Sequence, residues 1–441
     1  MPANRFVWLI ALVPTAAVLP AGDPPAGPPA PAGRLNSVAR PVISSDVKKQ
    51  LGLVPAYENL REVERIKIAV LDYGFDGIDG VRPFLPAGTV LVEHYDPEFV
   101  RRNDLGDPDF RKGFAPGNKH GRLMAQIVWA VTGQSPGGPQ FYLLNANGPT
   151  MLRRAVRFAI EQKVDLVLFS NTFDGGGNGD GRGPINRIVQ EAVRAGIIWV
   201  NAAGNQGRHV YRGPVEVLSH GFLRLGPRPE GTALRFRNRL DDNTITITLT
   251  WNDYQDAEDA GTTRDLDLYV QDWQGKVIAT SELRQVGGDR KAAEGETRNP
   301  RERLVLPALA ADRDHDYWIR IRHRAGRFTA SDRLRVLITA SRDGQAPDPE
   351  TGNVQDAFQF LDASDGGEIY PPADHPLVLT VGDAGGDSSV GPTADNRVKP
   401  DVVLRHSEAL FTDGEVSSGA SNAAAYFAGV VALLKAAEPR L

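Results

Sequence analysis

The feature that most narrows the fold of this chain is a change of rhythm, made twice. Between residues 66 and 202 short apolar runs alternate with amphipathic stretches. Residues 66–71, 140–144, 164–170 and 197–202 are predicted as buried strands, and 121–131, 150–162 and 184–195 as helices. Leu123, Met124, Ile127, Val128 and Val131 recur at helical spacing on one face, and so do Met151, Leu152, Ala155, Val156, Ala159 and Ile160. Pro184 suits a first helical turn. Strands alternating with helices at this spacing imply a parallel sheet covered on both faces.

From about 210 to 345 the helical pattern stops. Short alternating runs at 234–236, 244–251, 266–270, 277–280, 304–306, 317–321 and 334–338 are separated by turns such as Gln274-Gly275. This is the pattern of an antiparallel β-sandwich or jelly roll. The strand–helix rhythm then resumes, with a strand at 377–381 and a helix at 421–437. The β unit is therefore expected as an insertion at 209–365 in one α/β domain, whose parts are 66–208 and 366–441. A length of 441 residues accommodates both units.

The N-terminus reads as an address. Arg5 precedes an apolar run over 6–19, short for a membrane span but suited to a signal peptide ending at about residue 22. An uncleaved anchor, making the chain a tethered surface module, is the alternative. Residues 23–65 are expected as a Pro/Ala-rich linker followed by an N-terminal arm. The chain holds no cysteine, which excludes disulfides, thiolate zinc sites and a cysteine nucleophile. Its 50 basic and 55 acidic residues nearly balance, giving no reason to expect nucleic acid or a stable membrane association as partner once a signal is removed.

Four segments carry possible chemistry, each with an ordinary alternative. Asp72, in Val70-Leu71-Asp72-Tyr73-Gly74, closes a predicted strand at the end where α/β sheets collect active sites, although aspartate is also common in turns. His120, in Asn118-Lys119-His120-Gly121, opens a predicted helix and suits acid–base work, or simply caps the helix. No other of the eight histidines has such a setting. Asn205, in Ala202-Ala203-Gly204-Asn205, follows a strand, where its amide suits an oxyanion or a turn. Ser421, in Ser418-Gly419-Ala420-Ser421-Asn422, begins a long apolar helix as either a nucleophile or an N-cap. The order Asp, His, Asn, Ser is more specific than any member.

With these segments in view the chain resembles the subtilisin-like serine peptidases. Asp72-Tyr73-Gly74 is similar to the family's aspartate segment, His120-Gly121-Arg122-Leu123-Met124-Ala125 to its histidine segment, Ala203-Gly204-Asn205 to its oxyanion asparagine, and Gly419-Ala420-Ser421-Asn422-Ala423-Ala424 to its serine segment. Gly391-Pro392-Thr393 and Val398-Lys399-Pro400-Asp401-Val402 add to the likeness. The resemblance implies a three-layer α/β fold with a parallel sheet, and a secreted endopeptidase acting on protein or peptide substrates. Asp72, His120 and Ser421 would form the triad, with Asn205 in the oxyanion hole. Ser170, Asn171, Thr172 and Gly204 would line the substrate strand and turn. The insertion, with Asp265-Leu266-Asp267-Leu268-Tyr269-Val270, resembles accessory β-sandwich domains of exported peptidases.

Departures from the family pattern point to a divergent branch with an altered cleft. Ala420 and Asn422 flank the serine, Ala425-Tyr426 replace Pro-His, Arg122 and Met124 follow the histidine, and Thr172 stands where glycine is usual. No cofactor is required. Calcium is an option at the loop containing Asp174, Asn178 and Asp180, against a plain flexible Gly loop, and the acidic stretch 253–267 is similarly open. The rival functions are a catalytically inactive binding protein of this fold and a serine esterase or amidase.

Overall fold

The computed structural model describes residues 41–53, 61–95, 114–133, 138–226, 231–241, 243–257, 260–288, 291–307, 309–312, 314–342, 357–412 and 414–440. The expected signal peptide and the linker up to residue 40 lie outside the described residues.

Seven parallel strands form the central sheet: β1 (Lys67–Asp72), β2 (Val90–Val92), β3 (Gln140–Asn145), β4 (Leu166–Phe169), β5 (Ile198–Ala202), β6 (Leu379–Asp383) and β7 (Val402–Leu404). Their order is β7-β6-β5-β4-β1-β3-β2. From β1 the chain passes to the edge strand β2 and returns to β3 beside β1; it then crosses to β4 on the other side and steps outward through β5 and β6 to β7. The crevice beyond the carboxyl ends of β1 and β4 is therefore the topological switch point, where open α/β sheets hold ligands.

The alternation of side chains along each strand separates two cores. Ile68, Val70, Leu166, Leu168, Val200 and Ala202 face one way, onto α1 (His120–Val131) and α4 (Ala420–Ala437). Ala69, Leu71, Val167, Phe169 and Trp199 face the other, onto α2 (Pro149–Glu161) and α3 (Pro184–Arg194). Leu123, Met124, Ile127 and Val128 of α1 are essentially fully buried. Truncating any of them to alanine should cost ~2–5 kcal/mol. The predicted helices and strands of this part all appear, displaced by a residue or two at their ends.

The stretch between β5 and β6 forms two larger antiparallel sheets, beside a short parallel pair, Arg284–Gln285 with Glu296–Thr297. One sheet orders Val277–Ser281, Asp265–Gln271, Tyr317–Ala325, Leu234–Asn238 and Phe358–Phe360; the other orders Arg301–Leu306, Asn243–Trp251, Arg333–Arg342 and Val210–Pro214. Phe236, Ile247, Leu249, Leu268, Ile319, Ile321, Val336 and Ile338 fill the space between them as a separate core. The seven predicted strands all lie inside these elements. Val210–Pro214 and Phe358–Phe360 join the sheets at an edge, where their short runs carried no clear alternation. Part of the expected N-terminal arm is ordered too: Pro41–Val42 pairs with Ala409–Phe411, beside the serine segment.

Candidate active site

Asp72 ends β1 with its side chain 1% exposed. A buried carboxylate must be met by donors, and this one has four. Its Oδ1 accepts the backbone N–H groups of Tyr73 (2.8 Å) and Gly74 (2.9 Å). Its Oδ2 accepts His120 Nδ1 (2.7 Å) and the side-chain amide of Asn171 (3.0 Å). The Asp72 charge and, chiefly, burial push the neighbouring Tyr73 hydroxyl up to about 12.

Two glycines allow the aspartate turn and the histidine helix to meet. A Cβ on Gly121 would lie 2.5 Å from Asp72 Cβ, and one on Gly74 would lie 2.9 Å from the His120 nitrogen. Either distance is below van der Waals contact, so a side chain at these places would push the two segments apart. With hydrogen there, Arg122 N–H reaches the Gly74 carbonyl (3.0 Å), Asp76 N–H the Asn118 carbonyl (2.9 Å), and His120 N–H the Asn118 side chain (2.9 Å). An imidazole held this way at Nδ1 presents Nε2 as the proton acceptor.

Ser421 occupies the first turn of α4, 4% exposed, and its hydroxyl donates to the Ser170 carbonyl at 3.1 Å. That bond brings the serine helix onto the strand leaving β4. Asn205 Oδ1 accepts the Ala420 N–H (3.2 Å), which turns the amide's Nδ2 to the opposite side. The residues departing from the family pattern are used structurally. Asn422 accepts from the Ser417 hydroxyl (2.9 Å) and donates to the Ser407 carbonyl (3.0 Å), while the Tyr426 hydroxyl donates to the Glu408 carbonyl (3.0 Å). Both fasten α4 to the segment before it.

The candidate substrate residues separate into inward and outward groups. Ser170 gives its carbonyl to Ser421. Asn171 points inward at both ends: its amide serves Asp72, and its carbonyl accepts the Asn201 side chain at 3.0 Å. Thr172 lies against Gly204, whose Cβ position would be 3.3 Å from Thr172 Oγ1 and 3.2 Å from Ser389 Oγ. The sequence reading missed the part of Asn171 in holding the carboxylate, and it missed Asn201. A signal for Asn201 existed, since an amide inside the apolar strand Ile198–Ala202 must find partners there; it bonds Trp199, Asn171 and Ala202.

The Gly loop considered for calcium faces the inserted sheets. Asp174 accepts from Thr248 (3.2 Å) and lies 3.7 Å from Arg301, while Asp180 accepts the Arg182 N–H (2.9 Å). Asn178 exchanges two bonds with Tyr254, both at 2.9 Å. In the acidic stretch, Asp253 pairs with Arg264, which also holds Asp332. Among the described residues no three Asp, Glu, His or Cys side chains converge.

Comparison with known proteins bears on the family and the fold. The subtilase family model (peptidase S8) matches residues 64–441. Among solved structures, the CspB protease of Clostridium perfringens superimposes with a TM-score of 0.52 at 16% identity, over 89% of this chain and 86% of its own. The prenylagaramide maturation protease PagA gives 0.36 at 12% identity, over 88% and 82%. MycP1 with its N-terminal propeptide removed gives 0.35 at 15%, over 91% and 86%. The first is a likeness of fold; the other two superimpose too loosely to argue from. No curated protein sequence matches.

Proposed function

The chain belongs to the subtilase family of serine peptidases, and from that premise we propose that it is an exported endopeptidase whose nucleophile is Ser421, with His120 as general base and acid and Asp72 as its orienting carboxylate. The observation that carries this reading is the Asp72–His120 pair, buried and 2.7 Å apart, whose carboxylate is also held by Asn171, the neighbour of the Ser170 that accepts the Ser421 hydroxyl.

The chemistry follows from the contacts. The proton that Ser421 Oγ now gives to the Ser170 carbonyl is the one His120 would take, and a turn about the serine Cα–Cβ bond redirects it. Oγ then attacks a peptide carbonyl, and His120 returns the proton to the leaving amine. Asp72 holds the imidazole tautomer and stabilises the imidazolium. The Ser421 N–H at the start of α4 and the Asn205 amide serve the developing oxyanion. An extended peptide would lie along residues 170–172 and pair with their backbone. Thr172 over Gly204 restricts the pocket for the residue before the cut bond, so small side chains are expected there. Export rests on the apolar run at 6–19 and is tested by N-terminal sequencing of the secreted product.

The functional test is labelling by a fluorophosphonate probe together with cleavage of unfolded casein, wild type beside Ser421→Ala. Labelling and cleavage that vanish in the variant are expected. A folded wild type that neither labels nor cuts would refute the reading and favour an inactive binding protein of this fold.

A further inference from the structure

A small open cleft lies between the Gly loop and the inserted sheets. Gly177–Gly179 and residues 392–394 form one wall; Thr250, Trp251 and Asn252 lie on the strand opposite. Three guanidinium groups, those of Arg212, Arg333 and Arg335, line it.

Charges of one sign gathered at one cleft ordinarily come with counter-charges, yet among the described residues no carboxylate hydrogen-bonds any of the three; the buried Asp374, near enough for the Arg335 charge to act on it, bonds Asn186 and the Gly181 N–H instead. Arg335, 8% exposed, donates to the Ile369 carbonyl (2.9 Å) and the Gly177 carbonyl (3.4 Å) and stacks over Tyr370 at 4.1 Å. Arg212 donates to the carbonyls of Pro392 (3.3 Å) and Thr393 (3.5 Å). Arg333 donates to those of Ala330 (2.7 Å) and Asp332 (3.0 Å). Every partner is a neutral backbone oxygen. The nearby Asp332 carboxylate is already committed to Arg264 (2.6 Å) and Thr329. The Trp251 indole N–H, on a buried side chain lining the same cavity, has no acceptor. Burial, followed by the charges of Arg335 and Arg333, lowers the Arg212 guanidinium below its ordinary value. Water can satisfy these donors but not the accumulated charge, whereas planar guanidinium groups match oxyanions in both shape and sign.

We propose that this cavity binds a small oxyanion, a phosphate-like ion or a carboxylate, which ties the inserted sheets to the loop leaving the substrate strand. The site is separate from Ser421 and stands whether or not the peptidase reading holds.

The test is isothermal titration of the full chain with sodium phosphate and, separately, with sodium acetate, at constant ionic strength balanced by chloride. Melting temperature is followed in parallel, because a ligand of the folded state raises it with concentration. Saturable binding of one anion per chain by either probe is expected, and the probe that binds identifies the class. Arg333→Gln and Arg212→Gln should each weaken it at least about tenfold, the worth of one charge-assisted hydrogen bond. Arg333 is exposed and, among the described residues, its side chain bonds only its own turn, so its variant decides the matter if Arg212→Gln fails to fold. Absence of saturable binding by both anions, or binding untouched by the variants, would overturn the proposal.

Discussion

Asn171→Ala is the most informative single change. Its side-chain amide supplies one of the two donors on Asp72 Oδ2, at 3.0 Å, the other being His120 Nδ1 at 2.7 Å. A hydrogen bond to a charged group contributes ~1.5–3 kcal/mol. The Tyr73 and Gly74 N–H groups still hold Oδ1 in the variant, so the carboxylate stays charged and buried but can pivot about its Cβ–Cγ bond. Two effects oppose each other. Loss of a competing donor strengthens Oδ2 as an acceptor for His120, while loss of a restraint disorders it. Orientation should dominate, because a general base works only over a narrow range of positions. At ~1.36 kcal/mol per tenfold in rate, the full loss falls between about tenfold and a hundredfold in kcat. KM should stay unchanged, because the amide points away from the groove. The assay is steady-state hydrolysis of a fluorogenic peptide, the fluorophosphonate labelling rate, and a melting curve to verify the fold. An unchanged kcat with a raised KM would refute the positioning argument and return Asn171 to a substrate contact.

Three other outcomes are expected. Asn205→Ala should lower kcat by about 100- to 1,000-fold with little change in KM, as loss of an oxyanion donor does; single-turnover acylation of a peptide ester checks this. Thr172→Gly should raise kcat/KM for substrates with an aromatic residue before the cut bond relative to those with alanine, and equal effects on both in a paired peptide assay would argue against Thr172 as the restriction. Glu302 lies buried in the β insertion, and burial pushes its carboxyl up to about 7, against the opposing donors Ser281, Gln285 and Leu283. A carboxyl raised in the folded state contributes stability that is present below its unfolded value near 4.5 and is lost as pH rises through about 7. Melting temperature should therefore fall between pH 5 and pH 8, and less steeply in Glu302→Gln; identical slopes would contradict the assignment.

The fold was legible because it rests on local periodicity. Apolar runs bounded by turns mark the strands of the parallel sheet, and five apolar residues of α1 recur at helical spacing, although ten of its twelve residues are buried. The break at about 210 showed as a loss of helical spacing. The edge strands Val210–Pro214 and Phe358–Phe360 were not legible, because they are defined by the neighbours they pair with. Asp72, His120, Asn205 and Ser421 were singled out by residue type at predicted strand ends and helix starts.

What the order of residues determined, then, was the sequence of layers and the places where reactive side chains could stand. Tertiary structure alone decided which groups meet across the chain. The Asn171 amide reaches Asp72 across a separation of 99 residues. Nothing in the text near either residue announces this, because the contact depends on β1 and β4 lying side by side. The arginine cavity has the same origin. Arg212, Arg333 and Arg335 are unremarkable in strands that each need polar outward positions, and they become a concentrated positive charge only when the inserted sheets close against the Gly loop. Local pattern follows from bond geometry and solvent exclusion within a few residues, whereas such convergence follows from packing between elements far apart in the chain.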